Sequence, residues 1–247
     1  MRGSFFAAIL SLPDLECTTE LYTLGRSKTG AGLGASRYLV HLISCDHATQ
    51  LTSQILQRHQ SARAVRGNFG TEPLGLICSV SCSGSVVIKT YDAIRELRAA
   101  GIIVAGGFHS PMEHECLDLL LRGVQPVVLC PAYGIEWLSL DPQQQAAVDS
   151  GRLLVLSIFG VEAMRATPAL ALRRIEFVAA LAAAVFVPPP APGGKAEATA
   201  RQAIARGQEV LTFDVKENTN LIELCAKPVD VRELVAPHVN DQHIRVE

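Results

Sequence analysis

The chain has 247 residues, 49% of them hydrophobic, and a formal net charge of −2 at pH 7. This length and composition predict one large α/β domain with a sizeable core, preceded by a short N-terminal extension. The near balance of acidic and basic residues excludes a protein that is basic over its whole surface and binds nucleic acid nonspecifically, although a local basic patch stays open.

The cysteines and the apolar stretches indicate a cytoplasmic protein. Seven cysteines occur at positions 17, 45, 78, 82, 116, 130 and 225, without a CxxC motif, a pattern typical of reduced thiols in the cytosol. The apolar run over residues 1–12 is short and has no cleavage site before Pro13, so it does not predict a signal peptide. Phe177–Val187 is too short to span a bilayer, and we expect no membrane partner.

Residues 1–70 are the least regular part of the sequence, and we predict a partly helical extension there. Apolar residues in Arg37–His59 have helical spacing, whereas Gly25–Gly34 is rich in glycine and Ser61–Glu72 is polar like a linker. Short apolar strands alternate with helices from there on. A second region, residues 71–247, is therefore predicted to be one α/β domain with a short C-terminal tail.

The alternation of strands and helices predicts the fold class. The predicted strands are Leu74–Cys78, Ile102–Ala105, Pro126–Cys130, Leu153–Phe159, Ala184–Val187 and Glu209–Phe213. The predicted helices are Val86–Ala100, Ser110–Gly123, Asp141–Gly151, Thr167–Ala183 and Lys195–Arg206. Ser110-Pro111-Met112-Glu113 has the serine, proline and glutamate of a capping box. We predict a Rossmann-like parallel sheet covered by helices on both faces, with ligands at the carboxyl ends of the strands.

Three of the predicted strands run directly into turns that are rich in glycine, serine or proline. These turns are Ser79–Gly84, Gly106–Ser110 and Pro188–Lys195. Small residues let a ligand approach the backbone, and the start of the next helix offers unpaired N–H groups and a partial positive charge. The candidate ligand- or phosphate-binding residues are Ser79, Ser83, Gly84, Gly106, Gly107, His109, Ser110, Arg174, Gly193, Gly194 and Lys195. Lys195, Arg174 and Arg122 are the cations that we expect to face phosphates.

Each of these elements also has a purely structural interpretation. Ser110 is explained as a helix N-cap, and Gly106-Gly107 as residues that let the chain turn. Gly193–Lys195 is equally a loop with a solvated lysine, and Arg173-Arg174 a solvated helix face. The residues alone leave both interpretations open.

No catalytic residue, cofactor or metal site is predicted. His109, His114 and Cys116 match no established ligand spacing, and the helix between them spreads them apart. The sequence also lacks the GxSxG, HExxH and Walker lysine motifs.

Residues 74–213 resemble the Rossmann-like domain of the DNA-processing protein A (DprA/Smf) family. The family's Gly-Ser-Arg turn is matched by Cys78-Ser79-Val80, and its Ser-Gly turn by Gly106-Gly107. Its Arg-Asn-Arg helix is matched by Arg174-Ile175-Glu176 ahead of an apolar strand. Its Ser-Gly-Ser turn followed by Thr-Ala is matched by Pro192–Ala198, and its closing strand by Gly207–Phe213.

The resemblance implies binding of single-stranded DNA at the strand ends, in DNA processing or recombination. Cys78 and Val80 replace a glycine and an arginine of the family's first turn, and only the first arginine of Arg-Asn-Arg remains, as Arg174. We therefore expect a divergent branch that binds single-stranded DNA or a nucleotide. A homo-oligomer is left open.

Two other functions stay open beside DNA binding. Gly106-Gly107 followed by Met112, together with Pro192-Gly193-Gly194, resembles the motifs of the lonely-guy (lysine-decarboxylase-like) phosphoribohydrolases. That resemblance implies cleavage of the N-glycosidic bond of a nucleoside monophosphate. Ala200 stands where those enzymes have a glutamate, so a binding protein is favoured over an enzyme. A degenerate Rossmann domain that serves only as an assembly partner is the third alternative.

Overall fold

The structure is a computed structural model that describes residues 21–22, 39–41, 73–79, 83–190 and 193–235. Its strands are β1 (Leu21–Tyr22), β2 (Leu39–His41), β3 (Leu74–Leu76), β4 (Val104–Gly106), β5 (Val127–Leu129), β6 (Leu153–Ser157), β7 (Ala184–Phe186), β8 (Glu209–Phe213) and β9 (Lys227–Val229). Its helices are α1 (Gly84–Ala99), α2 (Pro111–Leu121), α3 (Pro142–Asp149), α4 (Pro168–Leu181), α5 (Lys195–Ala205) and α6 (Thr219–Glu223). Short 3-10 turns lie at Ile135–Trp137 and Lys216–Asn218.

The strands form one sheet in the order β1-β2-β6-β5-β4-β3-β7-β8-β9. β1 pairs with β2 in the antiparallel sense, and the other described pairs are parallel. The chain winds from β3 outward to β6, returns along α4 to β7 beside β3, and then winds the other way to β9. This doubly wound order confirms the predicted Rossmann-like α/β class. The strand order reverses between β3 and β7, where such folds open a crevice for ligands.

The core consists of one apolar layer on each face of the sheet. Buried residues of α1, α2 and α3 pack on the first face, and those of α4 and α5 pack on the second. Because both faces are covered, β3 to β7 are continuous runs of buried residues instead of alternating ones. No helix in the described part of the chain has the length and apolar composition needed to cross a membrane.

Short N-cap motifs in the sequence determine where three of the helices begin. The Ser110 hydroxyl accepts a hydrogen bond from Glu113 N at 3.3 Å, as the predicted capping box requires. Asp141 caps α3 and Thr167 caps α4 in the same way, each followed by proline at the first helical position. An N-cap of this kind stabilises its helix by about 1 kcal/mol.

Some predicted boundaries were wrong. The second predicted strand, Ile102–Ala105, is observed as Val104–Gly106, because its register follows the pairs that β4 makes with β3 and β5. The first strand ends at Leu76 instead of Cys78. A helix was predicted over Arg37–His59, yet Leu39–His41 forms a strand that pairs with the open edge of β6. The rest of that predicted helix lies outside the described residues.

Candidate functional site

Three strand-to-helix turns lie at the same edge of the sheet. Because β3, β4 and β7 are parallel, the segments that follow them all leave from the carboxyl edge. Gly84 is the first residue of α1, Gly107 follows β4, and Gly194 is the N-cap of α5. The topology therefore brings the three predicted turns to one edge. Arg122 caps the carboxyl end of α2 and so lies at the opposite edge, which corrects its predicted place beside the phosphates.

The turn after β4 is closed by the carboxylate of Glu113. Its Oε2 accepts hydrogen bonds from His109 N at 2.9 Å and from Ser110 N at 3.0 Å, and its Oε1 accepts one from Cys78 N at 3.4 Å. The side chain of Glu113 is buried, whereas His109 is exposed. The amides that were predicted to meet a ligand anion thus already donate to an anion of the protein itself.

The turn before α5 is closed in the same manner by Glu197. Its Oε2 accepts a hydrogen bond from Gly193 N at 2.9 Å, and its Oε1 accepts one from Arg201 Nη2 at 2.8 Å. The hydrogen bond from Gly193, aided by Arg201 and opposed by burial, holds the pKa of Glu197 below its ordinary value. Gly193 has a φ of +71°, the left-handed region that glycine adopts without strain.

Lys195 is exposed and stands at the same end of α5. Its Nζ donates a hydrogen bond of 2.8 Å to the carbonyl oxygen of Pro168, the first residue of α4. The bond links the starts of the two helices that cover the second face of the sheet. Since this contact is exposed, the ammonium group can exchange the carbonyl for another acceptor at little cost.

Arg174 is the most unusual residue at this edge. It lies in the middle of α4 with only 6% of its surface exposed, and its Nε is fully buried without a hydrogen-bond partner. None of the ion pairs within the described part of the chain includes it. A buried cation is strongly unfavourable without a counter-charge, and since none of the described residues supplies one, the arrangement favours an external anion beside the guanidinium.

Gly107 makes the room for this guanidinium. A Cβ atom built on Gly107 would lie 0.8 Å from Arg174 Nη1 and 2.0 Å from its Cζ. Cys130, which follows β5, lies close enough to Arg174 for the positive charge of the guanidinium to act on its thiol. Burial raises the pKa of Cys130 to about 12, while the nearby guanidinium acts in the opposite direction. The thiol therefore stays protonated at neutral pH and supplies no counter-charge.

An exposed aromatic residue lies at the same edge, above β5 and β6. Trp137 is 45% exposed, and its Nε1 donates a hydrogen bond of 2.8 Å to the carbonyl oxygen of Val161. Two residues before Val161, the ring of Phe159 lies under the guanidinium of Arg173, 5.6 Å from Arg173 Cζ to the ring centroid. Trp137 and Val161 are exposed, whereas Phe159 is buried beneath the exposed side chain of Arg173, the residue that precedes Arg174 in α4.

The remaining predicted residues have simpler surroundings. Ser83 is exposed and exchanges a hydrogen bond of 3.1 Å with the Ser85 hydroxyl, Gly84 is exposed, and Ser79 is buried. Gly106 is buried against the ring of Phe108. Residues 80–82 and 191–192 lie outside the described part of the chain. Within that part, no three His, Cys, Asp or Glu residues cluster in a way that could hold a metal ion.

Sequence analysis missed the part that Glu113, Glu197 and Trp137 play at this edge. For Glu113 and Glu197, the sequence pattern that could have predicted this role is a glutamate at the third position of a helix that follows a glycine-containing turn. For Trp137 no sequence signal distinguished an exposed ring from a core residue.

Comparison with known proteins identifies the fold. No protein-family model and no curated protein sequence matches this chain. Among solved structures it is similar to DNA processing protein A (DprA) from Streptococcus pneumoniae, with 16% identity and a TM-score of 0.56, over 66% of this chain and 60% of that one. The fold is that of a DprA-like Rossmann domain. The matched region thus spans less than two thirds of the Streptococcus pneumoniae protein.

Two further solved structures are similar to this chain. DNA processing protein A from Helicobacter pylori, described for its single-stranded DNA binding mode, matches with 16% identity and a TM-score of 0.56, over 66% of this chain and 79% of that one. A molybdenum cofactor carrier protein from Chlamydomonas reinhardtii matches with 13% identity and a TM-score of 0.46, over 66% of this chain and 94% of that one.

Proposed function

We propose that this protein binds a phosphate-bearing ligand, single-stranded DNA or a nucleotide, at the carboxyl edge of its sheet. The observation that carries the proposal is the buried guanidinium of Arg174, whose Nε has no hydrogen-bond partner within the described residues. A guanidinium offers a planar fork of donors that matches two oxygens of a phosphate. Binding a phosphate beside the guanidinium would therefore supply the missing counter-charge.

The position of Arg174 also agrees with the fold. Its guanidinium lies over Gly107, at the end of β4 and next to the point where the strand order reverses. Ligands of doubly wound sheets bind outside the carboxyl ends of the strands at such a point. Because Gly107 has no side chain, the guanidinium of Arg174 lies directly against the backbone there.

Two exposed side chains at this edge, Trp137 and Arg173, favour a nucleotide or DNA over a bare phosphate ion. An exposed indole offers a flat apolar face on which a base can stack, and stacking of this kind contributes about 1–3 kcal/mol per base. Arg173, exposed and placed over Phe159, adds a second cation beside Arg174. The DprA of Helicobacter pylori, which shares this fold, is described as binding single-stranded DNA.

Because the net charge of the chain is −2, it supports a local binding site for phosphates and not a broad basic surface. Arg174, Arg173 and Lys195 are the cations at this edge that we assign to phosphates. This limits the expected binding mode to a short stretch of a single strand or to one nucleotide. We further propose a cytoplasmic role in DNA processing or recombination, in keeping with the family that the sequence resembles.

The proposal is tested by fluorescence anisotropy with a labelled oligothymidine of about 20 nucleotides at low salt. We expect Arg174→Ala to weaken binding by roughly tenfold or more, the value of one buried charge-assisted contact. The matched control is Arg206→Ala, because Arg206 is exposed at the other end of α5 and faces the opposite edge of the sheet.

The outcomes separate the two ligand classes. Native mass spectrometry with thymidine 5′-monophosphate detects nucleotide binding if the oligonucleotide does not bind. Binding of neither probe, or binding that Arg174→Ala leaves at the level of the Arg206→Ala control, contradicts the proposal.

A further inference from the structure

Two helix N-termini at the carboxyl edge each hold an anion, and both anions are side chains of this chain. Glu113 is the third residue of α2 and Glu197 the third residue of α5. Glu113 accepts hydrogen bonds from the amides of His109 and Ser110, and Glu197 accepts one from the amide of Gly193. Each carboxylate therefore fills the place against a turn that a bound phosphate takes in nucleotide-binding folds.

Both carboxylates are shielded from solvent, with Glu113 6% exposed and Glu197 8% exposed. Glu197 is also tied to Arg201 Nη2 at 2.8 Å, so its charge is retained at neutral pH. Glu113 joins two loops, because its oxygens accept from Cys78 N after β3 and from the turn after β4. These contacts hold the two carboxylates in place at the carboxyl edge of the sheet.

The amides that these carboxylates use are the ones on which a di- or triphosphate depends. In Rossmann-like domains the pyrophosphate lies against the glycine turn at a helix N-terminus, where free amides face it. Here a second phosphate would lose those amides and would meet the negative charge of Glu113, which no ion pair within the described residues includes, and that of Glu197, which Arg201 offsets in part. Arg174 remains as the one buried cation at this edge of the described chain that no protein anion neutralises.

We propose that the site accepts one phosphate group at Arg174 and that Glu113 and Glu197 exclude nucleoside di- and triphosphates. This inference rests on the proposed function and names its ligand class, a nucleoside monophosphate or a single internucleotide phosphate. Neighbouring phosphates of a single strand are separated by a sugar and can lie in solvent. The phosphates of a diphosphate share one oxygen and must enter the site together.

The test compares thymidine 5′-monophosphate with thymidine 5′-diphosphate by titration calorimetry in buffer with EDTA, so that no divalent cation masks the charge. We expect the wild-type protein to bind the monophosphate roughly tenfold or more tightly than the diphosphate. In Glu197→Ala or Glu113→Ala the preference should fall to about twofold or reverse, because the turn amides become free.

Conservative variants guard against loss of folding. Glu197→Gln and Glu113→Gln keep an oxygen that accepts from the turn amides but remove the negative charge. We expect these variants to stay folded, with Glu197→Gln losing only the stability that the charge of Glu197 contributes, and to show an intermediate preference. A preference for the monophosphate that stays unchanged in all four variants overturns the role of the two glutamates.

The results also distinguish this inference from the proposed function. If the wild-type protein binds the monophosphate or oligothymidine, but binds the diphosphate equally well, the selectivity is wrong and the proposed function stands. If it binds neither the mononucleotides nor oligothymidine, both are overturned. If the protein binds oligothymidine but neither mononucleotide, the comparison is made with a strand that carries a diphosphate at its 5′ end. Tighter binding of that strand by Glu197→Ala than by the wild-type protein then supports the inference, with DNA as the source of the phosphate.

Discussion

The guanidinium of Arg174 lies in the space that a side chain on Gly107 would need, with Nη1 only 0.8 Å from the ideal Cβ position. The two residues are thus interdependent, since Arg174 keeps its place only while residue 107 has no side chain. The relationship connects a turn at the end of β4 with the middle of α4 on the second face of the sheet.

Gly107→Ala should therefore displace Arg174 and weaken oligothymidine binding. A methyl group forced into a filled site typically lowers the free energy of unfolding by about 1–3 kcal/mol, which urea titration measures. The control is Gly84→Ala, because a Cβ there meets nothing within 4 Å and the residue opens α1. We expect that control to bind normally and to change stability by less than about 1 kcal/mol. Normal binding by Gly107→Ala would contradict the assigned place of Arg174.

Arg174→Met should separate stability from binding. Replacing a buried charge with an apolar side chain of similar length is expected to leave the free energy of unfolding unchanged or raise it by about 1–4 kcal/mol. Ligand at about 100 times the wild-type Kd should stabilise the wild-type protein by about 2.7 kcal/mol, and a variant that binds roughly tenfold more weakly by only about 1.4 kcal/mol. Thermal unfolding with and without thymidine 5′-monophosphate measures both effects. A variant that is destabilised by several kcal/mol would instead indicate a structural role for the arginine.

The acid sensitivity of the protein should depend in part on Glu197. Its pKa is lowered in the folded state, chiefly by the Gly193 amide, so its contribution to stability is complete above the ordinary glutamate pKa of about 4.3. The contribution is lost as the pH falls below that value and through the folded-state pKa. The stability difference between wild type and Glu197→Gln should therefore be largest at neutral pH and shrink in acid, as followed by urea unfolding.

The control for this pH series is Glu209→Gln. Glu209 forms an exposed ion pair with Lys227 at 3.4 Å, a type of contact that contributes at most about 1 kcal/mol. Its stability profile should follow the wild type closely at every pH. Equal profiles for Glu197→Gln and Glu209→Gln would show that the negative charge of Glu197 does not stabilise the fold.

Binding of DNA should depend only weakly on salt. Each phosphate neutralised in a single strand contributes about −0.7 to the slope of log affinity against log salt, so two to four contacts give about −1.4 to −2.8. Lys195→Ala should make the slope shallower by about 0.7, because Lys195 is exposed at the carboxyl edge. Lys227→Ala, at the start of β9 on the opposite edge, is the matched control. A slope unchanged by Lys195→Ala would remove Lys195 from the site.

The protein should not release adenine from adenosine monophosphate. Ala200, buried in α5, stands where the lonely-guy phosphoribohydrolases have a glutamate, and Glu197 is engaged by Gly193 and Arg201. Chromatography of the nucleotide after incubation with the protein measures the free base. Adenine release that Glu197→Gln abolishes would identify an enzyme and revive the alternative function.

The sequence by itself determined the elements that depend on neighbours along the chain. The capping box of Ser110 and Glu113 and the alternation of apolar strands with helices are local patterns, and they predicted both the helix starts and the doubly wound class. Strand ends were less predictable, as for Val104–Gly106, because hydrogen bonding to β3 and β5 decides where a strand stops. Leu39–His41, placed in a predicted helix, follows the same rule at the edge of β6.

Only the tertiary structure decided the character of the candidate site. Arg174 has the same neighbours in sequence as a solvated helix residue, and it is buried because α4 crosses the sheet directly above Gly107. Glu113 shows the same limit, since its capping role was readable, whereas its bond to Cys78 N required β3 and β4 to lie side by side. A side chain's charge environment is set by atoms that are distant along the chain, and only packing brings these together.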